Sequence, residues 1–193
     1  LLRSTTLRDS DLIDCAAVGD TFAQTAIASR PRLSAAVAAA LAEIGTREAL
    51  IALAINAGAD LLDVSMKRMI ERFGEDGELR EALLLRGDLA PGVRHDLAVA
   101  TARALAAFVA EKGWLAGERA ERVTREARDK AAVIIAAEAG EAAGELARHL
   151  RASGHLTASL LLRALLSGDR GFVAAALADL TGMSAARAHG LMA

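Results

Sequence analysis

The sequence predicts an all-α protein: an α-solenoid of stacked helical hairpins, followed by a long helix and a C-terminal group of helices. Three observations support this fold class. Proline occurs only twice and alternating β-branched runs are absent, so little of the chain suits strands. Capping residues and glycines interrupt the apolar stretches at short intervals. The third observation is an internal repeat of hairpin length.

Helix starts are predicted where a capping residue or a proline precedes a periodic apolar stretch. These positions are Ser10, Ser34, Thr46, Asp60, Pro91, Thr157, Asp169 and Ser184. Helix ends are predicted at glycines, which adopt the left-handed conformation without steric cost. These are Gly19, Gly45, Gly58, Gly74, Gly113, Gly154, Gly168 and Gly182. The starts and ends alternate, which indicates roughly ten helices, most of them short.

The repeat consists of two blocks in which the same residues recur in the same order and with the same spacing. Arg, Leu, Val and Leu recur in the same order at Arg30, Leu33, Val37, Leu41 and at Arg86, Leu89, Val93, Leu97. A weaker middle copy ends its apolar stretch at Asn56. The unit is therefore about 26 to 30 residues, the length of one helical hairpin, and stacked hairpins of this length are typical of an α-solenoid.

The tripeptide Arg86-Gly87-Asp88 resembles an adhesion signal, but the repeat favours a structural role. We expect Arg86 to contact the last carbonyls of a helix and Gly87 to form the turn. Asp88 is expected to face the first N–H groups of the next helix. Arg30, Asn56 and Arg86 recur at unit ends, so we interpret them as structural caps first and partner contacts second.

Composition and charge exclude several classes of function. The net charge is −2, so the chain as a whole does not attract nucleic acid or anionic membranes. Aromatic residues make up 3%, too few for base-stacking platforms. No apolar run approaches the roughly 20 residues needed to cross a bilayer, so we expect no membrane association. Cys15 is the single cysteine, which excludes an internal disulfide and favours the cytoplasm.

Candidate catalytic or metal-binding residues are few. The histidines His95, His149, His155 and His189 have no recognised metal or triad spacing. Glu141, Glu145 and His149 lie four residues apart and share one helix face, which makes them a weak candidate metal set. A solvated stripe on an Ala-rich helix is the favoured interpretation of that face, because charged residues usually stay in contact with water. Cys15 is expected to be a small buried residue rather than a nucleophile. We therefore predict no catalytic residues, no cofactor and no enzyme activity.

The organisation predicted is a repeat region over residues 11–113 and a helical region over residues 118–193. The second region begins with a long helix that Gly140 and Gly144 weaken. Its apolar centre, residues 131–137, has two interpretations. It packs against the C-terminal helices of the same chain, or it forms a homodimer seam in which small side chains permit close approach.

Nucleic-acid binding is the alternative function. Residues 178–187 have the helix, glycine turn and capped helix of a helix-turn-helix, although the second helix carries little positive charge. A basic solenoid face is the other candidate. It would contain Arg30, Arg32, Lys67, Arg68, Arg72 and Arg94, interleaved with acidic residues.

Four segments carry a family resemblance: AIASRPRLSAAVAAALAEIG, LAINAGADLL, LLLRGDLAPGVRHDLA and GHLTASLLLRALLSGDRGFVAAALADLTGMS. In this order they resemble a family of mainly alphaproteobacterial proteins with HEAT-like repeats, classified as a domain of unknown function. The resemblance implies a helical-repeat fold and a bacterial, intracellular setting, and it brings no catalytic residues. We predict a non-catalytic interaction or scaffold module with a regulatory role and another protein as its partner.

Overall fold

The computed structural model describes residues 7–87, 89–114 and 117–192 and divides the chain into two compact units, residues 1–89 and 90–193. In the described residues of both units the regular structure is helical, which confirms the all-α class. The predicted boundary lay at residues 113–118. The structure instead places the helix that begins at Pro91 in the second unit, because that helix packs on the helices that follow it.

Unit 1 contains three consecutive helical hairpins. The helices are α1 (Asp9–Val18), α2 (Thr21–Ala28), α3 (Ala35–Ile44), α4 (Arg47–Ile55), α5 (Asp63–Phe73) and α6 (Gly77–Leu84). Each helix contacts its hairpin partner and also the helix two positions along the chain: α1 with α3, α3 with α5, α2 with α4, and α4 with α6. The odd and even helices therefore form two layers.

The core of unit 1 lies between these layers. It is aliphatic, since the sequence supplies mostly Ala, Leu, Ile and Val there. Its largest fully buried side chains are Ile27, Leu41, Leu50, Leu53, Met66, Met69, Leu79 and Leu83. Because apolar residues of this size fill most of the space between the two layers, the hairpins are held together mainly by burial of apolar area.

Helix starts in unit 1 follow the capping residues closely. Ser34 accepts a hydrogen bond from the backbone N–H of Val37, as predicted. Two starts were missed in the sequence: Asp20 caps α2 and Asp76 caps α6, each by accepting a backbone N–H with its carboxylate. The start predicted at Asp60 is three residues early, since α5 begins at Asp63.

Gly58 does not end a helix, because α4 stops at Ile55. It lies in the segment after α4, where the N–H of Leu33 donates to its carbonyl at 3.1 Å and the N–H of Asp60 donates to the carbonyl of Leu33 at 2.9 Å. A Cβ at Gly58 would overlap the carbonyl of Pro31. Glycine is required here for close backbone approach between two hairpins rather than for a left-handed turn.

Unit 2 begins with two long helices, α7 (Pro91–Glu111) and α8 (Gly117–Ala139). A short 3₁₀ turn (Gly140–Ala142) leads to α9 (Ala143–Ala152), α10 (Ala158–Leu166), α11 (Arg170–Thr181) and α12 (Ala185–Gly190). The predicted single long helix is therefore divided at Gly140, whose φ is +53°. Gly144 lies inside α9 and does not interrupt it.

Residues 131–137 contribute to the core of unit 2. Ala132, Ile135 and Ala136 of α8 are buried together with Leu160 of α10 and Phe172 of α11. This arrangement matches the intrachain interpretation of the segment. Ile134 of the same segment is 50% exposed.

Four of the glycines predicted to be left-handed have positive φ: Gly113, Gly154, Gly168 and Gly182. Gly19, Gly45 and Gly74 end helices with negative φ, so that part of the prediction is wrong for them. At Gly19 and Gly45 a Cβ would instead collide with a carbonyl of the preceding turn.

Among the described residues, no helix is both long and apolar enough to span a membrane.

Candidate functional site

The three polar residues that recur at unit ends follow the even helices of unit 1. Asn56 donates from Nδ2 to the carbonyls of Ala28 and Arg30, both at 2.7 Å, and accepts from the N–H of Gly58 at 2.9 Å. Its amide therefore caps the end of α2, one hairpin earlier in the chain. In this orientation both the Nδ2 donor and the Oδ1 acceptor of the amide have hydrogen-bond partners.

Arg86 repeats this arrangement one hairpin later. Its Nη1 donates to the carbonyls of Ala54 and Asn56, at 3.4 and 3.3 Å, at the end of α4. From the sequence we predicted that Arg86 contacts the last carbonyls of the helix that it follows. In the structure it contacts carbonyls of the preceding hairpin instead. Arg30, the first of the three, is 6% exposed.

The odd helices carry an equivalent contact. Arg72 of α5 donates to the carbonyls of Ala42 and Gly45, both at 2.9 Å, at the end of α3. Each of these side chains satisfies carbonyls that a helix end leaves without intrahelical partners. Residues from one hairpin thus complete the helix ends of the hairpin before it.

An exposed apolar groove lies beside the Arg86 contact. Its volume is about 400 Å³, and its lining residues are Ala54, Ile55, Ala57, Ala82, Leu85, Arg86 and Gly87. Ile55 is 65% exposed and Leu85 is 79% exposed, each at the end of an even helix. Asp88, the last residue of the tripeptide, lies outside the described residues, as do Leu115 and Ala116.

A cluster of histidines lies in unit 2. His95 and Asp96 lie on α7, His149 lies on α9, and His155 follows α9. The ring centroid of His95 is 5.7 Å from that of His149 and 5.2 Å from that of His155. Three of the four histidines of the chain therefore meet in space, which their sequence spacing does not indicate.

His149 and Asp96 form the best-defined contact in the cluster. His149 Nε2 donates to Asp96 Oδ1 at 2.8 Å. His95 Nδ1 lies 3.8 Å from the same oxygen, too far for a hydrogen bond. Burial is the largest single influence on Asp96 and opposes its ionisation, but the contacts and electrostatic interactions with His149 and His95 together outweigh it and lower the pKa of Asp96 to about 2.

His95 is fully buried, and neither of its ring nitrogens has a hydrogen-bond partner among the described residues. Buried polar atoms normally have partners, so such a nitrogen needs an explanation. His155 is in a related situation. Burial, followed by the charges of Arg128, His95 and Arg103, lowers its pKa to about 4, so its imidazole is neutral near pH 7.

Gly92 positions this cluster. It lies one turn before His95 and Asp96 on α7, and a Cβ there would stand 3.0 Å from Cγ of His149. The absent side chain leaves room for the His149 ring against α7. A glycine at the start of a helix, followed by His-Asp one turn later, was the sequence signal that could have identified this site.

The predicted metal set is only partly contained in the cluster. Among the described residues, the group whose ligand atoms could share one ion consists of His95, Asp96 and His149. Glu141 and Glu145 are exposed and lie outside it. Glu145 lies one turn before His149 on α9, whereas Glu141 lies in the 3₁₀ turn before that helix, so the predicted single helix face is not formed, and the side chains that approach His149 come from α7.

The basic residues of the nucleic-acid alternative are largely engaged elsewhere. Arg68 pairs with Glu43 and Glu71, and Arg72 contacts the carbonyls already described. Arg94 belongs to unit 2, where it pairs with Glu138. In the hairpin formed by α11 and α12, the second helix has six residues. Such a short helix offers little surface to a DNA groove.

Comparison with known proteins addresses the whole chain. Residues 1–193 match the family model described as "Uncharacterised protein conserved in bacteria (DUF2336)". The chain belongs to this family. The match confirms the predicted relationship to a bacterial domain-of-unknown-function family, while the alphaproteobacterial distribution stays a prediction. No curated protein and no solved structure matches the chain.

Proposed function

We propose that this DUF2336 chain is a non-catalytic interaction or scaffold module with a regulatory role in the bacterial cytoplasm. In this proposal unit 1 is a short HEAT-like α-solenoid that binds another protein. The observation that carries the proposal is the apolar groove at the ends of α4 and α6, lined by Ile55 and Leu85 beside Arg86. Large apolar side chains that stay exposed at adjoining positions commonly mark interaction sites.

The contact pattern of unit 1 supports a solenoid. Each helix packs on the helix two positions away, so every hairpin contacts its neighbours in the chain. Asn56 and Arg86 repeat one carbonyl contact at successive hairpins. Solenoids of this kind present extended surfaces built from equivalent positions of successive repeats, and Ile55 and Leu85 occupy such positions.

The chemistry of the groove defines the partner that fits it. Ile55, Leu85 and three alanines offer an apolar surface of the size of one or two side chains. The guanidinium of Arg86 adds a positive charge at its edge. We therefore propose that the groove receives an apolar side chain of a partner protein, flanked by an Asp or Glu whose carboxylate faces Arg86.

A photo-crosslinking residue at Leu84, which is 57% exposed and directly precedes the groove residue Leu85 in the sequence, tests this in the native bacterium. We expect it to capture one partner segment that contains an apolar residue beside an acidic one. A synthetic peptide of that segment should bind the purified chain by calorimetry. Leu85→Glu should abolish peptide binding. Leu166→Glu, at an 87% exposed leucine that ends α10, is the matched control and should leave binding unchanged.

Two outcomes would contradict the proposal: equal loss of binding in both variants, or crosslinks that yield no segment able to bind as a peptide. Nucleic-acid binding is tested in parallel by titrating salt against nonspecific duplex DNA. Retention of the duplex with a steep salt dependence would favour that alternative, because phosphate contacts release counterions. No retention at low salt would remove it.

A further inference from the structure

We propose that His95, Asp96 and His149 form a binding site for a divalent transition-metal ion of the Zn²⁺ type. The proposal is independent of the partner groove, since all three residues belong to unit 2. Their candidate ligand atoms all lie within 4.8 Å of one another. The site combines two imidazoles and one carboxylate from two packed helices, α7 and α9.

His95 provides the strongest argument. It is fully buried, and its two ring nitrogens have no hydrogen-bond partner among the described residues. Its Nδ1 faces the carboxylate of Asp96 at 3.8 Å, a separation that is long for a hydrogen bond. Two atoms bound to the same metal at about 2.1 Å stand roughly 3 to 3.5 Å apart, so this separation suits shared coordination better.

His149 lies within reach of the same ion. Its Nε2 is 2.8 Å from Asp96 Oδ1, so a small widening of that contact would admit a metal between the two groups. The absence of a side chain at Gly92 allows the His149 ring to approach α7 this closely. The side chains of His149 and Asp96 are 15% and 24% exposed, which leaves a path from solvent to the otherwise buried site.

The donor set determines the class of ion. Imidazole suits Zn²⁺ and its neighbours in the transition series, whereas Mg²⁺ and Ca²⁺ prefer sites made of oxygen ligands alone. Three protein ligands leave at least one coordination position open on Zn²⁺. The nearby ring of His155, whose Nδ1 is buried without a partner among the described residues, borders the cluster on its His95 side.

Calorimetric titration of the chelator-stripped full chain with ZnCl₂ tests the site. We expect one ion per chain, a rise in melting temperature with Zn²⁺, and no comparable response to MgCl₂. Asp96→Asn preserves the shape of the side chain. It should weaken Zn²⁺ binding by more than the roughly 10- to 100-fold that loss of an outer-shell partner costs. His149→Ala should weaken it similarly.

Two matched controls define specificity. His189→Asn removes the exposed fourth histidine, and Glu145→Gln removes the exposed carboxylate one turn before His149 on α9. Both should bind Zn²⁺ as the unaltered chain does. If Glu145→Gln weakens binding as much as Asp96→Asn, the ligands lie along α9 and the proposed site is wrong. If His189→Asn abolishes binding, the ion is adventitious.

A spectroscopic measurement on the unaltered chain requires no variant to fold. The ¹⁵N chemical shifts of the histidine rings distinguish metal-bound from free nitrogens. We expect Zn²⁺ to bind Nδ1 of His95 and Nε2 of His149 and to leave His189 unshifted. Absence of any Zn²⁺ response in these shifts overturns the proposal, and a buried water is then the simplest partner for His95.

Discussion

Replacement of Asn56 by alanine is the most informative test of how the hairpins of unit 1 are joined. The side chain of Asn56 makes three hydrogen bonds: two donated to the carbonyls of Ala28 and Arg30, and one accepted from the N–H of Gly58. Asn56→Ala removes all three at once. The substitution leaves the carbonyls of Ala28 and Arg30 and the N–H of Gly58 without this hydrogen-bond partner.

The magnitude follows from these contacts. A typical intramolecular hydrogen bond contributes about 0.5 to 1.5 kcal/mol net. Three such bonds, two of them as short as 2.7 Å, give an expected loss of about 2 to 4 kcal/mol. Arg86→Ala removes the hydrogen bonds to the carbonyls of Ala54 and Asn56, at 3.4 and 3.3 Å, and these two bonds contribute about 1 kcal/mol.

Equilibrium unfolding in urea, monitored by circular dichroism, measures these losses. Asn56→Asp is the sharper companion variant, because it keeps the acceptor for Gly58 but points a carboxylate at two carbonyl oxygens. We expect Asn56→Asp to be at least as destabilising as Asn56→Ala at neutral pH. A stability for Asn56→Asp equal to that of the unaltered chain would refute the cap.

Three further predictions use the same assay. In metal-free buffer the free energy of unfolding should fall as the pH is lowered from about 6.5 to about 4. Burial lowers the pKa of His155 to about 4, so the unfolded chain takes up that proton first; His155→Gln should flatten this slope. Gly58→Ala should cost about 2 kcal/mol or more because its Cβ would overlap a backbone carbonyl, whereas Gly87→Ala, with open space around it, should change stability by less than about 1 kcal/mol. Gly140→Ala, at a φ of +53°, should cost about 1 kcal/mol, and Gly144→Ala inside α9 should stabilise by about 0.5 to 1 kcal/mol; equal effects would contradict the helix break at residue 140.

The helices of the fold could be predicted because their signals are local. Ser34, Thr157 and Ser184 precede helices as expected, and each accepts the backbone N–H three residues on. Asp20 and Asp76 carry the same capping signal and were overlooked. The division at residue 89 depends on which helices pack together, and packing between distant helices leaves no local pattern in the sequence.

The repeat-end residues were predicted in position but not in geometry. Their spacing indicated that Asn56 and Arg86 occupy equivalent places, and it suggested capping of the preceding helix in sequence. The structure shows capping across hairpins, over 26 to 32 residues of chain. A side chain at a hairpin corner is as close to the neighbouring hairpin as to its own, and only the stacking distance decides between them.

The histidine cluster could not be predicted from spacing. Metal motifs are recognisable in a sequence when ligands share one helix or loop, as in two histidines four residues apart. Here His95 and His149 come from separate helices, and the bonded pair Asp96 and His149 is separated by 53 positions in the sequence. The four-residue spacing along one segment therefore pointed to His149 but grouped it with the exposed residues Glu141 and Glu145.

Whether the polar atoms of a buried side chain have hydrogen-bond partners distinguishes a structural residue from a candidate ligand in this chain. Asn56 recurs in a repeat, lies at a loop and has the appearance of a binding residue, yet its donor and acceptor are both used within unit 1. His95 belongs to no motif, yet it is fully buried with both ring nitrogens lacking a hydrogen-bond partner among the described residues. Since an unpartnered buried nitrogen costs free energy on folding, its retention has to be offset by something that binds it. On this reasoning His95 carries the functional hypothesis for unit 2, and loss of Zn²⁺ binding without loss of fold in Asp96→Asn is the result that would establish it.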